Sequence, residues 1–351
     1  MRFPFSLTMA MSRYIFLKTI SGQKRFPLVL MLEPLHACNL RCSGCGRIRE
    51  YVDSMNKQMT LAECLDSVRE CNAPIVSICG GEPLLYRELP QLVDAILKQK
   101  KHIYLCTNGV ILEEYVDTLQ KIRNKYLKQR LFLNVHLDGP EEIHDRIVER
   151  SGVFQKAING IKRAKEAGFP VYTNTTLYHG TNIDSLLSLA DTLLSCHVDG
   201  LMISPAFHYS SVDTIPIKDS LNSTQSEPEL FLNREEINKI FREIRSQMQK
   251  YPLTATPDFL DFLCGELSLT CAAWANPTRN IRGWRSPCYL IADHHYATYQ
   301  ELLKKTDWEH IGPEHDVRCQ NCLTHCGFEP ASVLHRGGLR KLLRLIRWEM
   351  S

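Results

Sequence analysis

Cys38, Cys42 and Cys45 lie within eight positions of the stretch "EPLHACNLRCSGCG", in the spacing C-x3-C-x2-C. Three thiolates suffice to hold three irons of a 4Fe–4S cluster, which leaves the fourth iron without a protein ligand. An open coordination position marks a catalytic rather than a structural metal site. A zinc knuckle or buried unligated thiols are the alternatives, but structural zinc takes four protein ligands and no fourth is local, so the spacing favours the cluster. A second set follows near the C-terminus. "CQNCLTHC" places Cys319, Cys322 and Cys326 in C-x2-C-x3-C, with Cys288 and Cys271 upstream. That spacing is ligand-like for a second Fe–S cluster or for zinc, with His315 and His325 as further zinc candidates. Packed thiols remain the alternative, and a metal site is the expectation. Gly80, Gly81, Glu82 and Pro83 form "GGEP", whose glycines let backbone approach a ligand closely, or simply turn a strand into a helix.

The elements that must position these groups are legible as apolar runs of strand length: 28–34, 74–83, 102–109, 131–139, 170–178 and 200–206. Helical spacing recurs between them, as in Leu61, Cys64, Leu65 and Val68, in Leu89, Leu92, Val93 and Ile96, and in Ile183, Leu186, Leu187, Ala190 and Leu194. Strands alternating with helices predict an α/β fold with parallel strands, either an open six-stranded barrel or a doubly wound sheet. Cys38 then lies just past the first strand and GGEP at the end of the second, at the strand ends where such folds place chemistry. Strand alternation puts Asn134, His136 and Asp138 on one face, opposite Leu133, Val135 and Leu137. It likewise puts Asn174 with Tyr172 and Thr176, and Cys106 with Tyr104 and Asn108. The polar faces are expected to line the lumen. A lone inward cysteine is usually a small hydrophobe, but a thiol also donates hydrogen atoms to carbon radicals. The remaining cysteines Cys64, Cys71, Cys79, Cys196 and Cys264 sit in core-like patterns.

With 351 residues, 44% hydrophobic and 23% charged, the chain can bury a sizeable core, and a net charge of +3 gives no basis for a nucleic-acid partner. Its 14 cysteines would form disulfides in a secreted protein. The N-terminal stretch, however, carries Arg13 and Lys18 within its apolar part and reads as mature chain. No run of 18 apolar residues occurs, so a reducing, cytoplasmic setting is expected. The division expected is an N-terminal segment (1–26), the barrel (27–209), a polar linker (210–230), a smaller irregular Cys-rich domain (231–330) and a basic amphipathic tail (331–351). The tail either docks on its own domain or lies on an anionic membrane.

The cysteine loop after the first strand, followed by GGEP after the second, resembles the radical SAM superfamily. The resemblance implies a partial (β/α)6 barrel and a 4Fe–4S cluster on Cys38, Cys42 and Cys45. It also implies S-adenosylmethionine bound at the open iron, near Gly80–Pro83, with His136, Asp138 and Asn174 as further contacts. Many members carry an aromatic residue just before the third cysteine, where this chain has Gly44. More narrowly, "KRFPLVLMLEPLHACNLRCSGCG", "VSICGGEPLL", "IYLCTNG", "VHLDG", "AWANPTRNIRGWRSPCYL" and "CGFE" resemble the adenosylhopane synthases (adenosyl-hopene transferases) of hopanoid biosynthesis. That family shares the glycine, although the 210–230 stretch looks long for it. The likeness implies addition of the 5′-deoxyadenosyl radical to the alkene of a C30 hopene (diploptene), with Cys106 quenching the resulting carbon radical. It further implies a low-potential electron donor such as flavodoxin or ferredoxin, and contact with the periphery of the inner membrane. The alternatives are a radical SAM enzyme with an auxiliary metal site acting on a peptide or small molecule, and a zinc-binding scaffold without catalysis.

Overall fold

The computed structural model describes residues 3–127, 129–209, 230–335 and 338–350. Most of the 210–230 linker lies outside them. Six parallel strands form the barrel sheet: β1 (Val29–Leu32), β2 (Ile75–Ile78), β3 (His102–Thr107), β4 (Leu131–His136), β5 (Val171–Leu177) and β6 (Gly200–Pro205). They lie side by side in chain order, each connection running through helix, as parallel pairing requires. This is an α/β fold, a partial barrel with an added C-terminal region, and all six expected strands are present.

The helices follow from local signals. α3 (Leu61–Cys71) starts at Thr60, whose side chain accepts from the Glu63 amide while Glu63 reaches back, so two otherwise orphaned donors are satisfied. It stops at Asn72, which adopts the left-handed conformation at φ 52°. It buries Cys64, Ser67, Val68 and Cys71. In α8 (Ile183–Ser195) the buried face is Leu186, Leu189, Ala190 and Leu193. Both faces are rotated slightly from the expected stripes, which leaves Leu65 and Leu187 half-buried. The outward strand side chains Leu30, Leu32, Val76, Ile78, Ile103, Leu105, Leu133 and Val135 join these helices in one core.

The two ends of the chain meet beneath the barrel. α1 (Phe5–Ile20) sends Leu7 against Ile75, Phe132 and Tyr172, with Phe3, Met11, Val29 and Tyr104 around them. The lumen floor is therefore an apolar plug. The C-terminal helix, α13 (Gly338–Met350), docks on the same end: Glu349 Oε1 accepts from the Phe3 amide at 3.1 Å and from Thr8 Oγ1 at 3.2 Å, and Arg344 pairs with Asp258 and Asp261. Of the two readings of the tail, docking on its own chain is the one observed, although Leu343 and Ile346 stay exposed.

The Cys-rich region is more ordered than expected. β7 (Thr278–Asn280) pairs parallel with β1, and β8 (Gly283–Pro287) and β9 (Ala292–Tyr296) continue antiparallel, which extends the sheet to nine strands. The expectation of an irregular region fails because these strands are short and polar, with "TRN" and "ADHHY" among them, and carry little of the apolar alternation that marks a strand.

Candidate active site

Strand register aligns the inward side chains in layers. Cys106 stands opposite Asn134, Asn134 opposite Tyr172, His136 opposite Asn174, and Thr176 opposite Ser204. Above the aromatic floor, Cys106 Sγ lies 3.3 Å from Ser77 Oγ and accepts from Asn134 Nδ2 at 3.8 Å. Burial raises its pKa against the lowering effect of these two contacts, so it remains a thiol. Two residues further up β3, about 7 Å along the strand, Asn108 Nδ2 reaches Cys38 Sγ at 3.8 Å and Asn39 Oδ1 at 2.7 Å. The half-buried Cys106 thiol thus sits one layer below the cysteine loop.

Cys38, Cys42 and Cys45 come together above this layer. Leu40, Val110, Val148 and Val153 back Cys38 and Cys42. Burial pushes the Cys38 thiol up to about 11, with Glu82 and Cys45 adding to it. Burial pushes Cys42 higher still, with Cys45 next in effect. Such thiols ionise only against a cation, which is what iron supplies. Among the described residues, no three Cys, His, Asp or Glu side chains converge on a single ion, which would need sulfurs about 3.8 Å apart. A cluster, whose irons sit at separate corners, asks for a wider set of thiols than a single ion does.

GGEP braces the loop from below. Gly80 has φ 116°, and a Cβ there would stand 2.4 Å from the Leu35 carbonyl; one on Gly81 would stand 2.0 Å from that of Ala37. The close approach that these glycines permit is therefore to the chain's own cysteine loop, whose Leu35 and Ala37 carbonyls accept from the Gly81 and Glu82 amides at 3.1 and 2.8 Å. Pro83 opens the turn that follows. The Glu82 carboxylate is fully buried and accepts from the Leu84 amide, Thr107 Oγ1 and the Asn108 amide at 3.0, 2.7 and 2.8 Å. Asp138 is similarly engaged: its side chain is inaccessible, Oδ2 meets His136 Nε2 at 2.7 Å, and Oδ1 accepts from the Thr176 amide at 2.8 Å. Burial opposes protonation of His136, but Asp138 outweighs it and raises the pKa. Of the expected cofactor contacts, Glu82 and Asp138 therefore hold other protein groups. His136 keeps a ring partly open to the lumen, and Asn174 Oδ1, like Asn134 Oδ1, is buried without a protein partner. Unpartnered acceptors in a lumen suit the amine and hydroxyls of S-adenosylmethionine.

The space over Gly44 is taken by Tyr178, whose Oη would lie 2.6 Å from a Cβ at that position. An aromatic ring thus reaches the cysteine loop from the end of β5 instead of from the loop itself. Nothing in the spacing near residue 178 signals this.

The second cysteine set also comes together. Cys271, Cys288, Cys319, Cys322 and Cys326 line one cavity, with Phe207, Leu290, Ile291, Ile311 and Phe328. Thr324 Oγ1 lies 3.2 Å from both Cys322 Sγ and Cys326 Sγ. Gly327 admits the fifth thiol, since a Cβ there would stand 2.5 Å from Cys271 Sγ. The zinc-histidine option is corrected: His325 turns away to Ser204 Oγ at 3.0 Å, and neither it nor His315 lines the cavity. Sequence reasoning also missed two buried arginines, Arg47 and Arg285, between the two sites. The one available signal for Arg47 was its position two residues past Cys45.

Comparison with known proteins agrees with this geometry. Residues 32–193 match the Radical SAM superfamily, and residues 201–344 match a domain of unknown function, DUF3463. The GTP 3',8-cyclase of Aquifex aeolicus is 34% identical over 169 residues, 46% of this chain and 51% of the relative. That of Thermodesulfovibrio yellowstonii is 26% identical over 283 residues, 75% and 82% of the two chains. This chain spans about half to two thirds of the first curated relatives that it matches. Among solved structures, Streptococcus suis SuiB bound to precursor peptide SuiA superposes with TM-score 0.55 at 16% identity, covering 72% of this chain and 54% of that one. Native anSMEcpe with bound AdoMet and a Cp18Cys peptide gives 0.52 at 16%, covering 92% and 97%. The three-cysteine loop, the GGEP turn and strands β2 to β5 all lie inside the segment that matches the radical SAM superfamily, and that is the family this part of the chain is similar to.

Proposed function

We propose that this enzyme carries its first cluster on Cys38, Cys42 and Cys45 and a second iron–sulfur site on the C-terminal cysteines, and that it modifies a small molecule or peptide held in the lumen. The bound group supplies one-electron cleavage of S-adenosylmethionine to methionine and a 5′-deoxyadenosyl radical. His136, Asn174 and the backbone edge of Gly80–Pro83 would hold the cofactor, and Asp138 fixes the imidazole of His136. What supports this broad reading over the hopene one is that the relatives described above are named for a GTP 3',8-cyclase and that the two solved structures described above are bound to peptides.

The observation that carries the chemistry is the Cys106 thiol below the cysteine loop. A thiol there donates a hydrogen atom to a substrate carbon radical: the S–H bond breaks, a C–H bond forms, and a thiyl remains on Cys106. One electron from a low-potential donor and one proton from water restore the thiol. The same observation favours the finer reading, adenosyl addition to the alkene of a C30 hopene, because addition leaves a carbon radical that must be saturated. The expected membrane contact has less behind it: Arg344 pairs with Asp258 and Asp261, while Leu343, Ile346 and Met350 are exposed apolar groups among the described residues of the tail.

The test is anaerobic reconstitution with iron and sulfide, then reductant and S-adenosylmethionine with diploptene, GTP or no addition, read by mass spectrometry. Cofactor cleavage is expected in every case. An adenosylated hopane that disappears in Cys106→Ala, while cleavage persists, establishes the hopene reading. A product from GTP alone replaces it. No cleavage in cluster-loaded protein refutes the enzyme assignment.

A further inference from the structure

The loop that carries Cys288 is held by three consecutive carbonyls. Arg285 Nε donates to the Cys288 carbonyl at 3.0 Å, an Arg47 terminal nitrogen donates to that of Tyr289, and Arg285 Nη2 donates to that of Leu290 at 2.8 Å. Arg47 also lies over the Tyr289 ring, 4.0 Å from its centroid. Both guanidiniums are buried, at 5% and 1% exposure. Glu50 joins them, pairing with Arg47 at 3.3 Å and with Arg285, while Glu33 meets Arg47 Nε at 3.0 Å. Burying two guanidiniums is costly unless each is paired and hydrogen-bonded. A loop of three residues needs no such arrangement merely to turn.

Arg47 lies two residues past Cys45, on the short helix α2 (Gly46–Glu50) that continues the first cysteine loop. One side chain therefore ties the element carrying the first site to the loop carrying Cys288. We infer that Arg47 and Arg285 are positioning residues for the second iron–sulfur site, fixing Cys288 in the five-thiol cavity and offsetting the negative charge of Glu33 and Glu50 beside it. This rests on the second-site reading above. Positive charge beside a cluster favours its reduced, more negative state, so removing it lowers the reduction potential.

The test uses the full chain with Cys38, Cys42 and Cys45 all changed to Ala, where only the second site loads. Iron and sulfide per chain count the site directly, and a spectroelectrochemical titration gives its potential. Arg47→Met is expected to lose at least half of the iron, or to keep it with a potential lower by about 59 mV or more, a tenfold change in a one-electron equilibrium. Arg47→Lys keeps the charge without the planar fork, and is expected to recover the potential but not full loading. Unchanged loading and potential in both variants overturns the inference. Absence of iron in the triple-Ala parent overturns the second-site reading itself, a separate failure seen before Arg47 is touched.

Discussion

Glu82 sets burial against hydrogen bonding, and stability measured against pH decides between them. Its carboxyl is wholly inaccessible yet accepts from two backbone amides and one hydroxyl. Burial is the larger effect and raises its pKa from 4.5 to about 7, with the three bonds pulling the other way. The folded chain thus holds this proton more tightly than the unfolded chain does. The stabilisation is fully present below about 4.5 and is lost as pH rises through about 7. Two and a half tenfold steps at about 1.4 kcal/mol each come to about 3.5 kcal/mol. Glu82→Gln has no proton to lose; it carries a roughly pH-independent penalty of about 1–3 kcal/mol, because its amide faces a backbone donor. Urea unfolding of the metal-free chain at pH 5 and pH 8, under reducing conditions, gives the difference between wild type and variant. Glu329, whose pKa burial likewise raises to about 7, is present in both chains and cancels. At pH 5, already above the unfolded pKa, about 2.5 kcal/mol of this remains, so the wild-type advantage is expected to shrink by about 2.5 kcal/mol from pH 5 to pH 8. A difference that stays flat, or grows with pH, would show that the three donors stabilise the carboxylate more than burial penalises it.

Two further outcomes follow from the packing. Phe132→Ala opens the lumen floor between Leu7, Tyr104 and Tyr172, and is expected to cost about 3–5 kcal/mol in urea unfolding; a cost below about 1 kcal/mol would mean that α1 does not plug the barrel. Gly81→Ala places a methyl against the Ala37 carbonyl, and is expected to lower iron loading of the first site, so wild-type iron content after reconstitution would count against GGEP as the brace of the cysteine loop.

The barrel was legible because its strands are buried on the helix side by aliphatic residues and present polar ones inward, so that period two and period 3.6 both show. The same alternation placed Cys106, Asn134, His136 and Asn174 on the lumen face correctly. It said nothing of which polar groups remain free there. Asp138 and Glu82 read as ligand contacts, yet their oxygens are taken up by His136, Thr176, Thr107 and backbone amides, partners that are distant in sequence or invisible in it. Tyr178 over Gly44 escaped for the same reason: a loop glycine and a ring more than a hundred residues away meet only through the pairing of strands. The hairpin of β8 and β9 escaped for a different reason: β8 is buried throughout and β9 is polar and partly exposed, so neither shows an alternating hydrophobic period.

The two cysteine sets share one mechanical frame. The first hangs from the end of β1. β7 pairs with β1, and Cys288 follows β8 directly. On the far side of the sheet, Phe207 beyond β6 lines the second cavity, and His325 beside Cys326 bonds Ser204 within β6. The five-thiol cavity therefore draws on both margins of the six-stranded sheet, β6 at one end and the β7–β8 extension at the other. A cluster bound there would hold these margins at a fixed separation, and with them the width of the lumen in which Cys106 works.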